Sequence, residues 1–435
     1  MDNIRAPMKR AAAVVAGLLL IGACDDVTAD RISQWKNTEK GPSRLEAAVQ
    51  KGGLAPELRA RAALALVEIG RPETVNAAIA AMPAAERGGV IAALVPLYAG
   101  VMDTAPPGPA IDARDALFDL RGQVGPAEQP KIDAALLPSC ARDLRAGRYA
   151  GGRHTLDKIL SAIGPAAGPL LLQLLDEPAA PFPAIVEVLV KVGDPATRER
   201  AGKSLVARAA KLAAIPQPLL RALAQVGGRT ATGFLQRRIE TAPAEEAAAA
   251  AHALMQGPRD PALVPLALRI AGDSGANELV REEMFGVLEH VGGVEARDAA
   301  IRIIAGDPKE RARYRAYEVA LIAGKADAVG PALEAFPVKA AYKREDVVDF
   351  LVKDIEKLGP AARPALTKLL TSASPLARMA AVLAFEKVGS GDDAAAVKGL
   401  AADKAALKGF PPGVTVGSEA VRVAGALAQK TGGKP

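Results

Sequence analysis

Apolar residues recur along this chain at helical spacing. In the segment 58–69, Leu58, Ala62, Leu66 and Ile69 follow at steps of four, four and three, which is one helical face, while Arg59, Arg61 and Glu68 fall mostly off it. The same stripe returns as Leu156, Ile159, Leu160 and Ile163, and as Leu376, Ala380, Leu383 and Val388. Each stripe ends at a glycine (Gly70, Gly164, Gly389), a residue suited to the left-handed position that closes a helix. A second helix is predicted after the glycine, opened by Pro72 and Glu73, by Pro165, by Asp194 with Pro195, or by Pro360. Its apolar face is clearest in 170–175 and 365–370, and it stops at turn formers such as Asp176, Asp273, Asp307 and Ser372 to Ser374.

The glycines form a series: Gly70, Gly100, Gly125, Gly164, Gly193, Gly227, Gly257, Gly292, Gly324, Gly359 and Gly389, at intervals of 25 to 39 residues. Self-similarity at such a period marks stacked supersecondary units. Each unit is read as two helices of about a dozen residues that cannot bury their stripes alone, so neighbours must stack. Period-two alternation is absent over any useful length, and aromatics are only 3 % of the chain, which argues against strands. The predicted fold is an all-α, right-handed α-solenoid of about ten or eleven helical hairpins. Most of the 41 glycines and 33 prolines then fall at repeat boundaries.

The order of a Leu-rich helix, a turn with Asp or Pro, and then Leu/Val-Arg-x-x-Ala-Ala-x-Ala-Leu-x-x-Ile-Gly resembles HEAT repeats, in the short bacterial form also seen in phycobilisome-lyase-like proteins. Leu58 to Gly70 and Leu376 to Gly389 carry the likeness best, within about residues 42–403, and it weakens between Gly100 and Gly164. The resemblance implies an extended concave face, lined by the helix that precedes each Ile-Gly, for a protein or peptide partner. An enzyme, or a subunit of an enzyme complex, of the lyase-like kind is the alternative it leaves open, although no catalytic or bilin-binding group is identifiable in this sequence.

The N-terminus supplies an address. Arg5, Lys9 and Arg10 precede an apolar stretch, Ala11 to Leu20, too short to span a bilayer as a mature helix. The run ends Leu20-Ile-Gly-Ala-Cys24, which resembles the bacterial lipoprotein cleavage motif and so implies lipidation of Cys24. The alternatives are an ordinary cleaved signal or an uncleaved anchor. Asp25 resembles the enterobacterial signal for retention at the inner membrane. The expected organisation is a signal peptide at 1–23, a lipidated polar tether or fraying first helix at 24–41, the solenoid at 42–409, and a capping segment with frayed tail at 410–435. Trp35 is read as a packing cap for the first repeat. Beyond the signal no uninterrupted apolar run of 18 residues occurs.

Candidate chemistry is sparse. His154, His252 and His290 are far apart in sequence and lack ligand-spaced partners, and no His-Glu dipeptide, which HEAT-like iron hydroxylases carry, is present. Cys140 is read as a buried apolar residue, and a Cys140–His154 dyad rests only on nearness in sequence. No phosphate-cradling loop or nucleophile elbow is found, so neither cofactor nor metal nor small-molecule substrate is expected. The net charge of +6 falls to about +4 without the signal and its signs are interspersed, which speaks against nucleic acid as a partner.

One cluster stands out. In 310–318 (Glu-Arg-Ala-Arg-Tyr-Arg-Ala-Tyr-Glu), Arg311, Tyr314, Arg315 and Glu318 share a helical face, and Arg344, Glu345 and Asp346 stand at the corresponding helix start of the next repeat. Tyr and Arg concentrate interface energy. Arg311, Tyr314, Arg315, Glu318 and Arg344 are therefore the candidate partner-binding residues. The simpler reading is a solvated face laced by Arg315–Glu318 pairs and by an Asp–Arg ladder through Asp307.

Overall fold

The structure is a computed structural model and describes residues 26–431. Cys24, Asp25, the export segment and the end of the expected tail lie outside the described residues. All regular elements among the described residues are helical, in the α-solenoid arrangement of HEAT-like hairpins. The stretch expected as one solenoid divides into two compact units, one up to Thr197 and one from Arg198 onward.

In the first unit two helix layers run side by side. Gly41–Gln50, Pro72–Ala80 and Pro107–Arg121 pack in succession in one layer, and Pro56–Glu68, Ala84–Thr104 and Gln129–Arg145 in the other. The segment expected as a polar tether contains a helix, Ala29–Trp35, capped by the Thr28 hydroxyl. Ile32 is buried, and this helix packs on Gly41–Gln50 and Pro56–Glu68. One well-placed isoleucine is enough to dock a short polar helix.

In the second unit one layer is formed by Gln217–Val226, Ala244–Leu254, Glu278–Val291 and Glu310–Gly324, then a helix spanning 344–358, then Pro375–Val388 and Val416–Thr431. Val264–Ala271, Gly293–Gly306, Ala326–Glu334 and Arg363–Leu369 lie in the second layer. Val416–Thr431 lies in the segment expected to cap the repeats. It packs on Pro375–Val388, and Arg422 reaches Glu386 at 2.7 Å.

The arginine of the repeat motif has a repeated task. Arg59 Nε donates to the Val49 carbonyl at 2.8 Å, at the end of the preceding helix, and Arg281 Nε does the same to Ala271 at 2.7 Å. Arg313 Nη1 reaches the Asp307 carbonyl at 2.9 Å and Arg378 Nη1 the Ser372 carbonyl at 2.7 Å. A cation on orphan carbonyls at a helix C-terminus satisfies acceptors and meets the negative end of the dipole. Three of these arginines also bind a carboxylate: Arg59 takes Glu86, Arg281 takes Asp307, and Arg378 takes Asp403.

The glycine series is only partly a series of corners. Gly164, Gly227, Gly292 and Gly359 share one backbone conformation, φ 61° to 72° with ψ −143° to −163°, a region closed to most side chains. Gly193 and Gly389 have negative φ. Gly100 lies inside the helix Ala84–Thr104, contrary to its expected place at a boundary, because the surrounding apolar run carries the helix through it. At Gly324 the corner has slipped by one residue, and Lys325 adopts φ 51°, ψ −138°. A Cβ on Gly324 would stand 2.5 Å from Arg297 Cδ and 2.8 Å from Ala328 Cβ, so this glycine serves close packing.

The weak repeat between Gly100 and Gly164 contains an extra loop, 146–155, after Gln129–Arg145. It is clamped from below by the wholly buried Arg114, which donates to Asp143 at 2.5 Å, to Asp115 at 3.0 Å and to the Gly151 carbonyl at 2.7 Å. Asp115 accepts the backbone N–H groups of Arg153 and His154. By length and composition Ala84–Thr104 and the stretch Leu156–Asp176 could cross a bilayer, although charged residues interrupt the apolar run in both. Both carry buried residues of the helix stack.

Candidate functional site

The helix Glu310–Gly324 buries Ala312, Ala316, Tyr317 and Val319 and turns Arg311, Tyr314, Arg315 and Glu318 outward, as the 100° spacing requires. These four, with Glu310, line an open groove of about 550 Å3. One wall is Glu282, from Glu278–Val291. The other comes from the helix of residues 344–358, through Asp346, Asp349, Phe350, Lys353, Asp354 and Lys357. Three successive helices of one layer therefore supply the whole site.

The second wall has an unusual backbone. Residues Val347–Val352 form a π-helical turn between the α-helical pieces Arg344–Asp346 and Lys353–Leu358. A π turn widens the helix and re-aims its side chains, and such turns are frequent at functional sites. Tyr317 supports it from below by donating its hydroxyl to the Leu351 carbonyl at 3.2 Å. The result turns Phe350 out of the core, 51 % exposed, against Tyr314: the two rings stack with centroids 5.3 Å apart at 25°. Tyr314 leans in turn on buried Phe336, which touches Tyr317 and Tyr342. Three of the five tyrosines and two of the eight phenylalanines of an aromatic-poor chain meet here.

Charge is divided unevenly across the groove. Arg315 is held by Glu282 and Glu318, each at 2.8 Å, and by Glu289. Partial burial opposes its charge, but the bonds to Glu289 and Glu282 outweigh that and raise its pKa above the ordinary guanidinium value. Arg311 stands 3.5 Å from Glu278 with both side chains about four-fifths exposed, a contact of little energetic weight. Lys357 pairs with Asp354 at 2.7 Å. Around the aromatic pair the situation differs: Glu310, Asp346 and Asp349 form no ion pair with any described residue, and Glu310 accepts only the Tyr314 hydroxyl, at 3.3 Å. Burial, then the charges of Glu310 and Asp346, push the Tyr314 phenol well above its usual range. Six carboxylates against four cations line the groove, so it is net acidic.

Of the five candidate residues, the structure brings Arg311, Tyr314, Arg315 and Glu318 together and sets Arg344 apart. Arg344 does not line the groove; its guanidinium lies 3.9 Å from Glu419, on Val416–Thr431. Asp346, two residues on, does line the groove, but the Arg344 side chain is directed to the buried Glu419 carboxylate instead. Sequence reasoning missed Glu282, Asp349, Phe350 and Lys353. Helical spacing at 100° cannot anticipate a π turn, and nothing in Val347-Val-Asp-Phe-Leu-Val352 announces one.

The remaining candidates are engaged elsewhere. His154 lies in the clamped loop, with Nε2 2.7 Å from Asp119 and Nδ1 3.1 Å from Lys158. His252 pairs with Glu283 at 3.1 Å, and His290 Nε2 meets the Gly257 carbonyl at 3.0 Å. Cys140 is fully buried, which pushes its thiol up to about 12 and disfavours the nucleophilic thiolate.

No family model matches the chain, and no curated protein matches it. Among solved structures it is similar to the karyopherin Kap121p bound to Pho4p, at 13 % identity and a TM-score of 0.40, covering 94 % of this chain and 53 % of that one. Kap121p bound to the SUMO protease Ulp1p gives 15 % identity and a TM-score of 0.39, covering 90 % and 46 %. An engineered protein gives 18 % and 0.21, covering 83 % and 94 %. The chain spans about half the length of the karyopherin chains it matches.

Proposed function

We propose that the chain is a non-catalytic scaffold that holds a segment of a partner protein against one layer of stacked helices, while a lipid on Cys24 keeps it at the periplasmic side of a bacterial membrane. The observation that carries the first half is the open groove, in which exposed Phe350 stacked on half-buried Tyr314 is rimmed by charged side chains contributed by three successive helices. An open concavity with an aromatic anchor and a polar rim is the anatomy of a protein-binding patch, whereas a catalytic centre calls for an enclosed site with converging ionisable groups. The lipoprotein-like motif supports the second half, and Asp25 favours the inner membrane. Four residues, 25–28, lie between Cys24 and the helix Ala29–Trp35, a reach of about 14 Å at full extension. Confinement to a surface raises the effective concentration for a partner on the same surface.

Photo-crosslinking in the native organism tests the scaffold. Benzoylphenylalanine is introduced at Glu282, Arg311 or Lys357 in the grooved layer, or at Val294 in the other layer. Discrete protein adducts from the first three positions and none from Val294 are expected. Absence of adducts from all three removes the reading.

A further inference from the structure

We propose that the groove takes an arginine or lysine side chain from an extended segment of the partner protein, with the cation laid on the Phe350 ring and bonded to Asp349, Asp346 and Glu310. The inference rests on the scaffold reading and gives it a chemistry. Its starting point is that Phe350 is held out of the core. The residues on either side of it in the π turn, Val347, Leu351 and Val352, are buried, while the phenylalanine is half exposed against Tyr314. One ring face is backed by Tyr314, and the exposed part of the ring opens on the groove.

Charge then selects what can lie there. A cation over an aromatic face gains from the ring quadrupole, and more so as it is desolvated. Glu310, Asp346 and Asp349 line this part of the groove and none of them is in an ion pair among the described residues, whereas Arg315 across the groove already has three carboxylates; with Arg311 and Lys353 counted, the groove still carries two more carboxylates than cations. An anionic ligand would meet the acidic excess, and a purely apolar one would find only two aromatic rings and desolvate the carboxylates beside them without compensation. The groove, at about 550 Å3, accommodates one or two side chains with their main chain and is too small and open for a folded domain. It runs across successive helices, so an extended segment can continue along the layer on either side.

The test uses the soluble chain from residue 26 onward and a fluorescein-labelled peptide of alternating glycine and arginine. A control peptide carries citrulline, which keeps the shape and removes the charge. Anisotropy titrations are expected to show salt-dependent binding of the arginine peptide and its loss with citrulline. Phe350→Ala should weaken binding by about five- to thirtyfold, and Asp346→Asn with Asp349→Asn should weaken it and flatten the salt dependence. All three residues lie at the surface, so circular dichroism should be unchanged; Val421→Ala, an exposed apolar residue of the last helix, should bind as wild type. Equal binding of the citrulline peptide, or full affinity in Phe350→Ala, overturns the proposal. Tight binding of free arginine amide that the peptide does not improve also overturns it, in favour of a small cation. The two readings fail separately. Adducts that persist unchanged in Phe350→Ala leave the scaffold and remove this chemistry, whereas peptide binding without cellular adducts does the reverse.

Discussion

Arg281 donates to Asp307 across the junction of two successive hairpins, and both side chains are buried, at 6 % and 0 % exposure. The pair is one node in a chain of bonds. Arg281 also caps the Ala271 carbonyl, the Asp307 carboxylate accepts the Lys309 N–H at 2.8 Å, and its carbonyl accepts Arg313. Asp307→Ala would leave a buried guanidinium without its anion, and should cost about 3–5 kcal/mol. Urea unfolding followed by circular dichroism measures the loss, and hydrogen exchange should accelerate first in residues 293–324. Adding Arg281→Met to Asp307→Ala should restore part of the stability, since the orphaned charge is then gone.

Lys325 occupies a corner conformation that four other hairpins reserve for glycine. Lys325→Gly should therefore stabilise the second unit by about 1 kcal/mol. Gly227→Ala at the matching corner should lower stability by about 1–3 kcal/mol. Thermal unfolding of the two variants beside wild type checks the opposite signs.

Tyr98 is wholly buried on Ala84–Thr104, and its hydroxyl meets no hydrogen-bond partner among the described residues. Tyr98→Phe should stabilise the fold by about 1 kcal/mol by removing an unsatisfied group. Burial also raises the phenol above its ordinary value of 10.0. Below that value both folded and unfolded chains keep the proton and stability does not respond to it. Above it the unfolded chain releases a proton that the folded chain retains, so stability falls by about 1.4 kcal/mol per pH unit. Cys140 adds the same effect from the ordinary thiol value of 9.0 up to about 12. Stability of Tyr98→Phe should decline less steeply than wild type above pH 10, as read from urea midpoints across the alkaline range.

If Cys24 carries lipid, metabolic labelling with a clickable palmitate analogue should mark the wild-type chain. Cys24→Ser should abolish the label and release the protein from the membrane fraction. Retained label in Cys24→Ser removes the anchor and leaves the groove untouched.

The helices were legible because their cause is local. Ala62 and Leu66 are buried, as their spacing required, with Leu58 and Ile69 half-buried at the ends of the stripe, and Leu376, Ala380 and Leu383 are buried as well. The face bearing Tyr314 and Arg315 was legible for the same reason. Phe350 was not, because it is exposed by a π turn that local spacing does not announce and that is in contact with Tyr317, a residue 34 positions from Leu351, through the Leu351 carbonyl. Arg344 lies apart from the cluster for a related reason: its equivalent position in the next repeat suggested a neighbour, while its guanidinium is directed to Glu419 on Val416–Thr431.

The amino-acid order alone determined the helix pairs, their period, most of their corners and the lipoprotein-like start, since each depends on residues within about four positions of one another. Only the tertiary structure decided that a corner slips from Gly324 to Lys325, that an inserted loop is pinned by Arg114, and that an unpaired acidic edge meets a stacked aromatic pair. Those arrangements follow from contacts between helices distant in sequence, where packing and charge override local preference.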